Sequence, residues 1–161
     1  MARIVPDIVT PEVRSRMMAA VRRKDTKPEI KVRRALHSLG ARFRLHRKDL
    51  PGTPDIVLPA RKLVIFVHGC FWHRHPECRL TTTPKTREEE WERKFAANIA
   101  RDERNVRQLE AAGWKVAVVW ECETRDPEVL RGSLKRLLVD ERGIELARRK
   151  IEQVEESGVE S

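Results

Sequence analysis

The sequence predicts a mixed α/β fold, with a central mixed β-sheet flanked by helices, on three observations. Helix-start signals recur at Thr10-Pro11-Glu12, Thr26-Lys27-Pro28-Glu29, Thr86-Arg87-Glu88-Glu89 and Asp126-Pro127-Glu128. Short apolar runs rich in β-branched residues lie between them, at 56–58, 62–67 and 115–120. The resulting order, αα-β-β-β-α-β-α, belongs to a sheet with helices packed on it.

Each element has a local reason. Met17, Met18 and Val21 line one face of a short basic helix that starts after Thr10. The second helix carries Ile30, Val32, Ala35, Leu36 and Leu39 at helical spacing and stops at Gly40. Phe43-Arg44-Leu45-His46 alternates as an edge strand does, and Leu50-Pro51-Gly52-Thr53-Pro54 turns the chain so that Asp55 begins the next strand. The continuous run 62–67 suits a strand buried on both faces. Residues 69–85 have no periodicity and are expected to form a functional loop. A long helix from Thr86 to about Ala112 ends at Gly113, and the strand 115–120 leads into Glu121-Cys122. A last helix from Asp126 directs Leu130, Leu134, Leu137 and Leu138 at the core. The expected organisation is a basic helical arm over 1–22, one catalytic domain over 23–139 and a charged tail over 140–161.

Composition narrows the partners. The 161 residues include 34 Lys+Arg against 25 Asp+Glu, a formal charge of +9, which favours a polyanion such as nucleic acid. No apolar run approaches the roughly 20 residues of a membrane span, and the first residues lack the apolar core of an export signal. Three cysteines argue against a disulfide framework and for a cytoplasmic location with thiolates reserved for metal.

The chemistry concentrates in residues 68–78, which hold three of the five histidines and two of the three cysteines. Cys70, His75 and Cys78, with Cys122 brought up at a strand end, make a closed zinc set of structural type; His73 is an alternative third ligand. The competing reading is three small buried cysteines and surface histidines. Asp55 and the backbone near Val67 and His68 should share one sheet end, an oxygen-rich corner suited to Mg²⁺, with Glu29 close behind; a Pro-Asp pair is also an ordinary turn. His68 and His73 are the general-base candidates there. Phe71, Trp72 and Trp91 suit insertion between bases, or else cover the core, whereas Trp114 and Trp120 read as core. A zinc deaminase is excluded, because Pro76-Glu77-Cys78-Arg79-Leu80 has neither its order nor its spacing.

Together, Pro54-Asp55, Val67-His68-Gly69-Cys70-Phe71-Trp72-His73, Thr86-Arg87…Trp91, Asn98…Arg101-Asp102 and Val119-Trp120-Glu121-Cys122 resemble the very-short-patch repair (Vsr) DNA mismatch endonucleases over roughly residues 12–139. The resemblance implies a restriction-endonuclease-like core with a structural zinc site, nicking one strand of duplex DNA beside a T·G mismatch left by deaminated 5-methylcytosine. It implies Mg²⁺ on Asp55 and the Val67 main-chain carbonyl, with Glu29 acting through water. It gives His73, held by Asp102, a part in proton transfer and sets His68 on the phosphate. Zinc would sit on Cys70, His75, Cys78 and Cys122. Phe71, Trp72 and Trp91 would enter from the major groove and Met18 from the minor groove, with Lys94 and Asn98 near the DNA. The second acid and lysine of the wider restriction fold are replaced here by Val67 and His68, Pro76-Glu77 sits inside the zinc loop, and the flanking-base preference does not carry over.

The implied partner is mismatched double-stranded DNA, with mismatch-repair proteins as candidates, no membrane, a monomeric state and a nucleoid-associated place in the bacterial cytoplasm. The alternatives are a restriction-type or repair nuclease without mismatch dependence and a catalytically inactive zinc-containing DNA-binding module.

Overall fold

The structure, a computed structural model, describes residues 3–5 (backbone only), 8–21 and 23–139; the expected tail over 140–161 lies outside the described residues. Strands β1 (Arg3–Val5), β2 (Arg44–Leu45), β3 (Ile56–Leu58), β4 (Leu63–His68), β5 (Thr82–Pro84) and β6 (Lys115–Trp120) alternate with helices α1 (Pro11–Ala19), α2 (Lys27–Ser38), α3 (Cys70–His73), α4 (Glu88–Ala111) and α5 (Pro127–Leu138). The central sheet runs β2-β3-β4-β6, antiparallel except for the parallel pair β4–β6.

Period-2 alternation splits the core into two layers. Ile56, Leu58, Leu63, Ile65, Ala117 and Val119 face α2 and α5, meeting Val32, Leu36, Leu130 and Leu134. On the other face Val57, Val64 and Phe66 meet Leu109 of α4. Leu137, expected in the core, is exposed: it lies off the Leu130–Leu134–Leu138 stripe, and Leu138 takes the contact instead.

Three helix starts behave as their sequences suggest, one of them through Asp126, whose Oδ1 accepts from Glu128 N at 2.9 Å. Thr10 Oγ1 accepts from Val13 N at 3.4 Å, and Thr26 Oγ1 from Glu29 N at 3.3 Å. Glu29 does not complete the reciprocal half of its capping box; its carboxylate accepts from Asp25 N at 3.0 Å, one residue before the cap. The box expected at Thr86–Glu89 is absent. Arg87, with φ 57°, turns the chain into α4 without a side-chain cap, and Glu88, Glu89 and Glu90 supply negative charge to the helix start.

The segment expected as plain loop, 69–85, contains α3 and β5, and β5 pairs in parallel with β1. Neither has a sequence period, because each is held by a distant partner. Helix α1 has no buried residue; Met17 and Val21 are exposed and Met18 is half-buried. None of the described helices is long and apolar enough to cross a membrane.

The topology fixes where chemistry can occur. The start of β3 and the ends of β4 and β6 meet at one sheet edge, so Asp55, His68 and Glu121 emerge together. The turn that delivers Asp55 depends on Gly52, whose φ is +74°; a Cβ there would lie 2.7 Å from Asn105 Nδ2 and 3.1 Å from its Cβ. We expect Gly52→Ala to cost roughly 1–3 kcal/mol in urea unfolding, with Asn105→Ala recovering only the steric part because the backbone strain stays. A cost fully removed by Asn105→Ala would show that the left-handed conformation is unimportant.

Candidate active site and metal centre

Asp55 sits just before β3 and turns its carboxylate toward β4, where Oδ2 accepts from Val67 N at 2.7 Å. Within a strand the N–H and C=O of one residue point to the same side, so the Val67 carbonyl faces the Asp55 side of β4. Burial pushes the Asp55 carboxyl up to about 6; the nearby Glu29 charge adds to this, and Val67 N–H, His46 and His73 oppose it. A cation bound there would reverse that penalty.

Glu29 is almost fully buried, and its Oε2 lies 3.0 Å from Arg33 NH2 and 3.5 Å from His46 Nε2. Asp25, Glu29 and His46 are of metal-ligating type and lie close together, but Arg33 already stands among them, 2.8 Å from Asp25. Arg33 offsets one of the cluster's two carboxylate charges.

The second half of the site comes from α3 and α4. His73 Nδ1–H donates to Asp102 Oδ2 at 2.5 Å, which leaves Nε2 outside that contact. Burial works against the Asp102 charge, yet the His73 hydrogen bond and the nearby His68, His73 and Arg101 leave its carboxyl below the usual range. His68 stacks on His73, centroids 3.8 Å apart at 8°, and meets the edge of Trp120. Burial, reinforced by His73, holds His68 down at about 4, so it is neutral at physiological pH. A cleft of about 370 Å³ opens beside this pair, lined also by Ile99, Val106, Val118 and Trp120.

The four sulfur and nitrogen ligand atoms of Cys70, His75, Cys78 and Cys122 lie within 4.8 Å of one another. His75 Nδ1 is 3.7 Å from Cys70 Sγ and 3.4 Å from Cys122 Sγ. A tetrahedral ion with Zn–S of about 2.3 Å and Zn–N of about 2.1 Å spaces S and N roughly 3.6 Å apart, so the donor set fits zinc. Burial pushes the Cys70 thiol up to about 12 and raises Cys122, the cost that a divalent cation offsets. Thr81 Oγ1 donates to the His75 and Cys70 carbonyls, and the His75 ring stacks on Trp120 at 4.3 Å. His73, the alternative ligand, is committed to Asp102 instead.

The aromatic residues form a packed group. Phe71 meets Trp72, Trp91 and Phe95 edge-on, and Trp91 is buried while Phe71 and Trp72 are half-buried. Phe71 and Trp72 are therefore less exposed than a free loop would leave them. Arg74 lies 4.0 Å over Phe95 and bonds the carbonyls of Phe71 and Thr82, tying the group to β5. Lys94 lies over Trp91 at 4.9 Å, and Asn98 Nδ2 donates to the Trp72 carbonyl at 3.2 Å. Met18 is on α1.

Sequence reasoning passed over His46, Arg33, Phe95 and Arg74. His46 was legible in principle: the hairpin turn at 50–54 brings it back to Asp55, whose carbonyl accepts from His46 N at 3.3 Å.

Comparison with known proteins gives the chain a family. Residues 6–80 match the family model described as DNA mismatch endonuclease Vsr. Among similar proteins, the Type II nicking enzyme V.XorIIP of Xanthomonas oryzae pv. oryzae is 56% identical, over 82% of this chain and 96% of its own. The DNA mismatch endonuclease Vsr of Escherichia coli is 41% identical, over 77% and 79% respectively. The catalytic domain of the homing endonuclease I-Bth0305I shares the fold, with a TM-score of 0.51 over 71% of this chain and 96% of that domain at 19% identity.

Two outcomes are expected. Cys122→Ser should lower bound zinc well below one ion per chain by elemental analysis and drop the melting temperature by roughly 10 °C or more; full zinc retention with unchanged melting would refute the ligand set. For Asp55, a folded-state value near 6 against 3.8 means the folded chain binds the extra proton between those values, so stability is greatest below pH 4 and falls as pH rises through 6. In magnesium-free buffer, Asp55→Asn should therefore stabilise the fold at pH 8 by up to roughly 3 kcal/mol and leave it unchanged near pH 4. Urea unfolding at both pH values measures this, and a gain independent of pH would contradict the assignment.

Proposed function

Because the chain belongs to the Vsr family of DNA mismatch endonucleases, and is thus a DNA endonuclease acting on phosphodiester bonds, we propose that it nicks one strand of duplex DNA beside a T·G mismatch by Mg²⁺-dependent hydrolysis. The observation that carries this reading is the convergence, at one sheet edge, of a buried carboxylate anchored on Val67 N–H with a histidine held by an aspartate.

Asp55 and the Val67 carbonyl would hold the magnesium, with Glu29 acting through water. Magnesium there supplies a Lewis acid that activates water and offsets charge on the scissile phosphate. Asp102 fixes the His73 tautomer, so His73 Nε2 gives or takes the proton at the reacting phosphate. Neutral His68, stacked behind His73, contacts the phosphate. Water attack at phosphorus with departure of the 3′ oxygen leaves 5′-phosphate and 3′-hydroxyl ends. Zinc on Cys70, His75, Cys78 and Cys122 fixes the loop without touching the reaction, within a restriction-endonuclease-like core.

Recognition is assigned to the aromatic group. Phe71, Trp72 and Trp91 would enter the duplex from the major-groove side, with Lys94 and Asn98 near the DNA, while the basic arm brings Met18 to the minor groove. The net charge of +9 supplies the sequence-independent attraction to phosphate. The expected setting is the bacterial cytoplasm, with the chain acting as a monomer.

Nicking of T·G and T·A duplexes with Mg²⁺ tests the proposal. The parent should nick the mismatch, Asp55→Ala should be inactive with DNA binding kept, and His73→Ala should lose about 10²–10⁴-fold in rate. Equal cleavage of both duplexes would favour a restriction-type nuclease, and binding without metal-dependent cleavage would favour a DNA-binding module.

A further inference from the structure

Beside Asp55, a partly buried cluster of charge joins α2 to the β2–β3 hairpin. Arg33, whose side chain is 16% exposed, donates from NH1 to Asp25 at 2.8 Å and from NH2 to Glu29 at 3.0 Å. The same NH2 donates to His46 Nε2 at 3.0 Å. A guanidinium stays protonated in proteins and offers no acceptor. For the 3.0 Å contact to be a hydrogen bond, His46 Nε2 presents its lone pair to Arg33 and the ring carries its proton on Nδ1, although Nε2 also lies 3.5 Å from Glu29 Oε2 and 3.8 Å from Asp25 Oδ1. Nδ1 faces Asp55 Oδ1 across 3.9 Å.

The backbone directs the ring the same way. His46 adopts φ 46°, a left-handed conformation that costs roughly 1 kcal/mol for a residue with a side chain. Its N–H donates to the Asp55 carbonyl at 3.3 Å, so ring and carboxylate are tied to one hairpin end. Asp55 Oδ2 is already engaged by Val67 N, which leaves Oδ1 as the oxygen that faces His46. The 3.9 Å gap exceeds a hydrogen bond. The two carboxylate oxygens turn together, so with Oδ2 kept on Val67 N the gap closes by a movement of roughly 0.8–1 Å of the His46 ring about its own side-chain torsions.

We propose that His46 is a positioning residue for the catalytic carboxylate: Arg33 fixes its tautomer, and the Nδ1–H so placed orients Asp55 Oδ1 toward the metal. A nitrogen that carries a proton has no lone pair for a cation, so His46 serves as donor and never as ligand. Arg33 thereby has two tasks, neutralising Glu29 and choosing which histidine nitrogen faces the site. This inference rests on the reading of Asp55 as the carboxylate that holds magnesium.

The test compares the full-length parent with His46→Ala and His46→Asn in nicking assays across a Mg²⁺ titration. Losing a partner that orients a metal-binding carboxylate costs about 10–100-fold in metal affinity. His46→Ala should therefore raise the half-saturating Mg²⁺ by about tenfold or more, with zinc content and magnesium-free DNA binding unchanged. His46→Asn, whose amide N–H stands where Nδ1 stood, should stay within about threefold. In the ¹⁵N-labelled parent, long-range ¹H–¹⁵N NMR should report the Nδ1–H tautomer for His46, a readout that needs no variant to fold. An Nε2–H tautomer, an unchanged Mg²⁺ requirement in His46→Ala, or equal losses in both variants would overturn the proposal. Asp55→Ala separates the two levels. If it still nicks, the Asp55 reading itself fails; if it is inactive while His46→Ala matches the parent, the His46 inference alone fails.

Discussion

Parallel pairing of β4 with β6 decides where everything else in this molecule stands. Six residue pairs, from Leu63↔Lys115 to His68↔Trp120, lock the ends of two strands that lie 46 residues or more apart in sequence. A parallel pair needs a crossover, and here that crossover consists of α3, β5 and α4. Immediately beyond the paired ends, β4 runs into Cys70 and β6 into Cys122, so one register brings together thiols from opposite ends of the crossover. It also sets His68 against Trp120, and Trp120 in turn against His75. A slip of β6 by one residue would turn Trp120 to the other sheet face, away from His68 and His75.

The acid end of the site shows how burial is balanced. Glu29 and Asp55 are both largely withdrawn from water, and the Glu29 charge adds to the cost of ionising Asp55. Arg33 answers the first of these charges, and Val67 N–H together with His46 and His73 answers part of the second. The residual burden falls on Asp55, where the carboxyl is held near 6. A group kept this reluctant to ionise is one that a nearby positive charge relieves most.

Much of this was legible in the sequence, and for uneven reasons. The strand 115–120 and helices α2 and α5 are specified locally, by β-branched runs, caps and apolar spacing, and form as expected. The cysteine–histidine set was visible because ligand types cluster within residues 68–78, although Cys122 needed the topology. α3 and β5 were invisible because neither satisfies itself: β5 exists through β1, and α3 is one turn held at both ends by other elements. The Thr86 box failed because a left-handed Arg87 displaced the helix start, a backbone event that residue types do not announce. His46 escaped notice for a related reason. Its significance lies in tautomer and direction, set by an arginine thirteen positions earlier in the chain.

Four consecutive residues, Cys70, Phe71, Trp72 and His73, make up the whole of α3, and between them they face three different neighbours. Cys70 turns to the sulfur cluster, Phe71 and Trp72 to the aromatic group, and His73 to Asp102. Successive residues of a helix are about 100° apart around its axis, so one turn acts as an indexing collar. Inserting or deleting a single residue would rotate every later side chain by that angle and misalign several neighbours at once. Such a collar tolerates substitution one position at a time, each with a separable loss, yet leaves the length of this turn no freedom to drift.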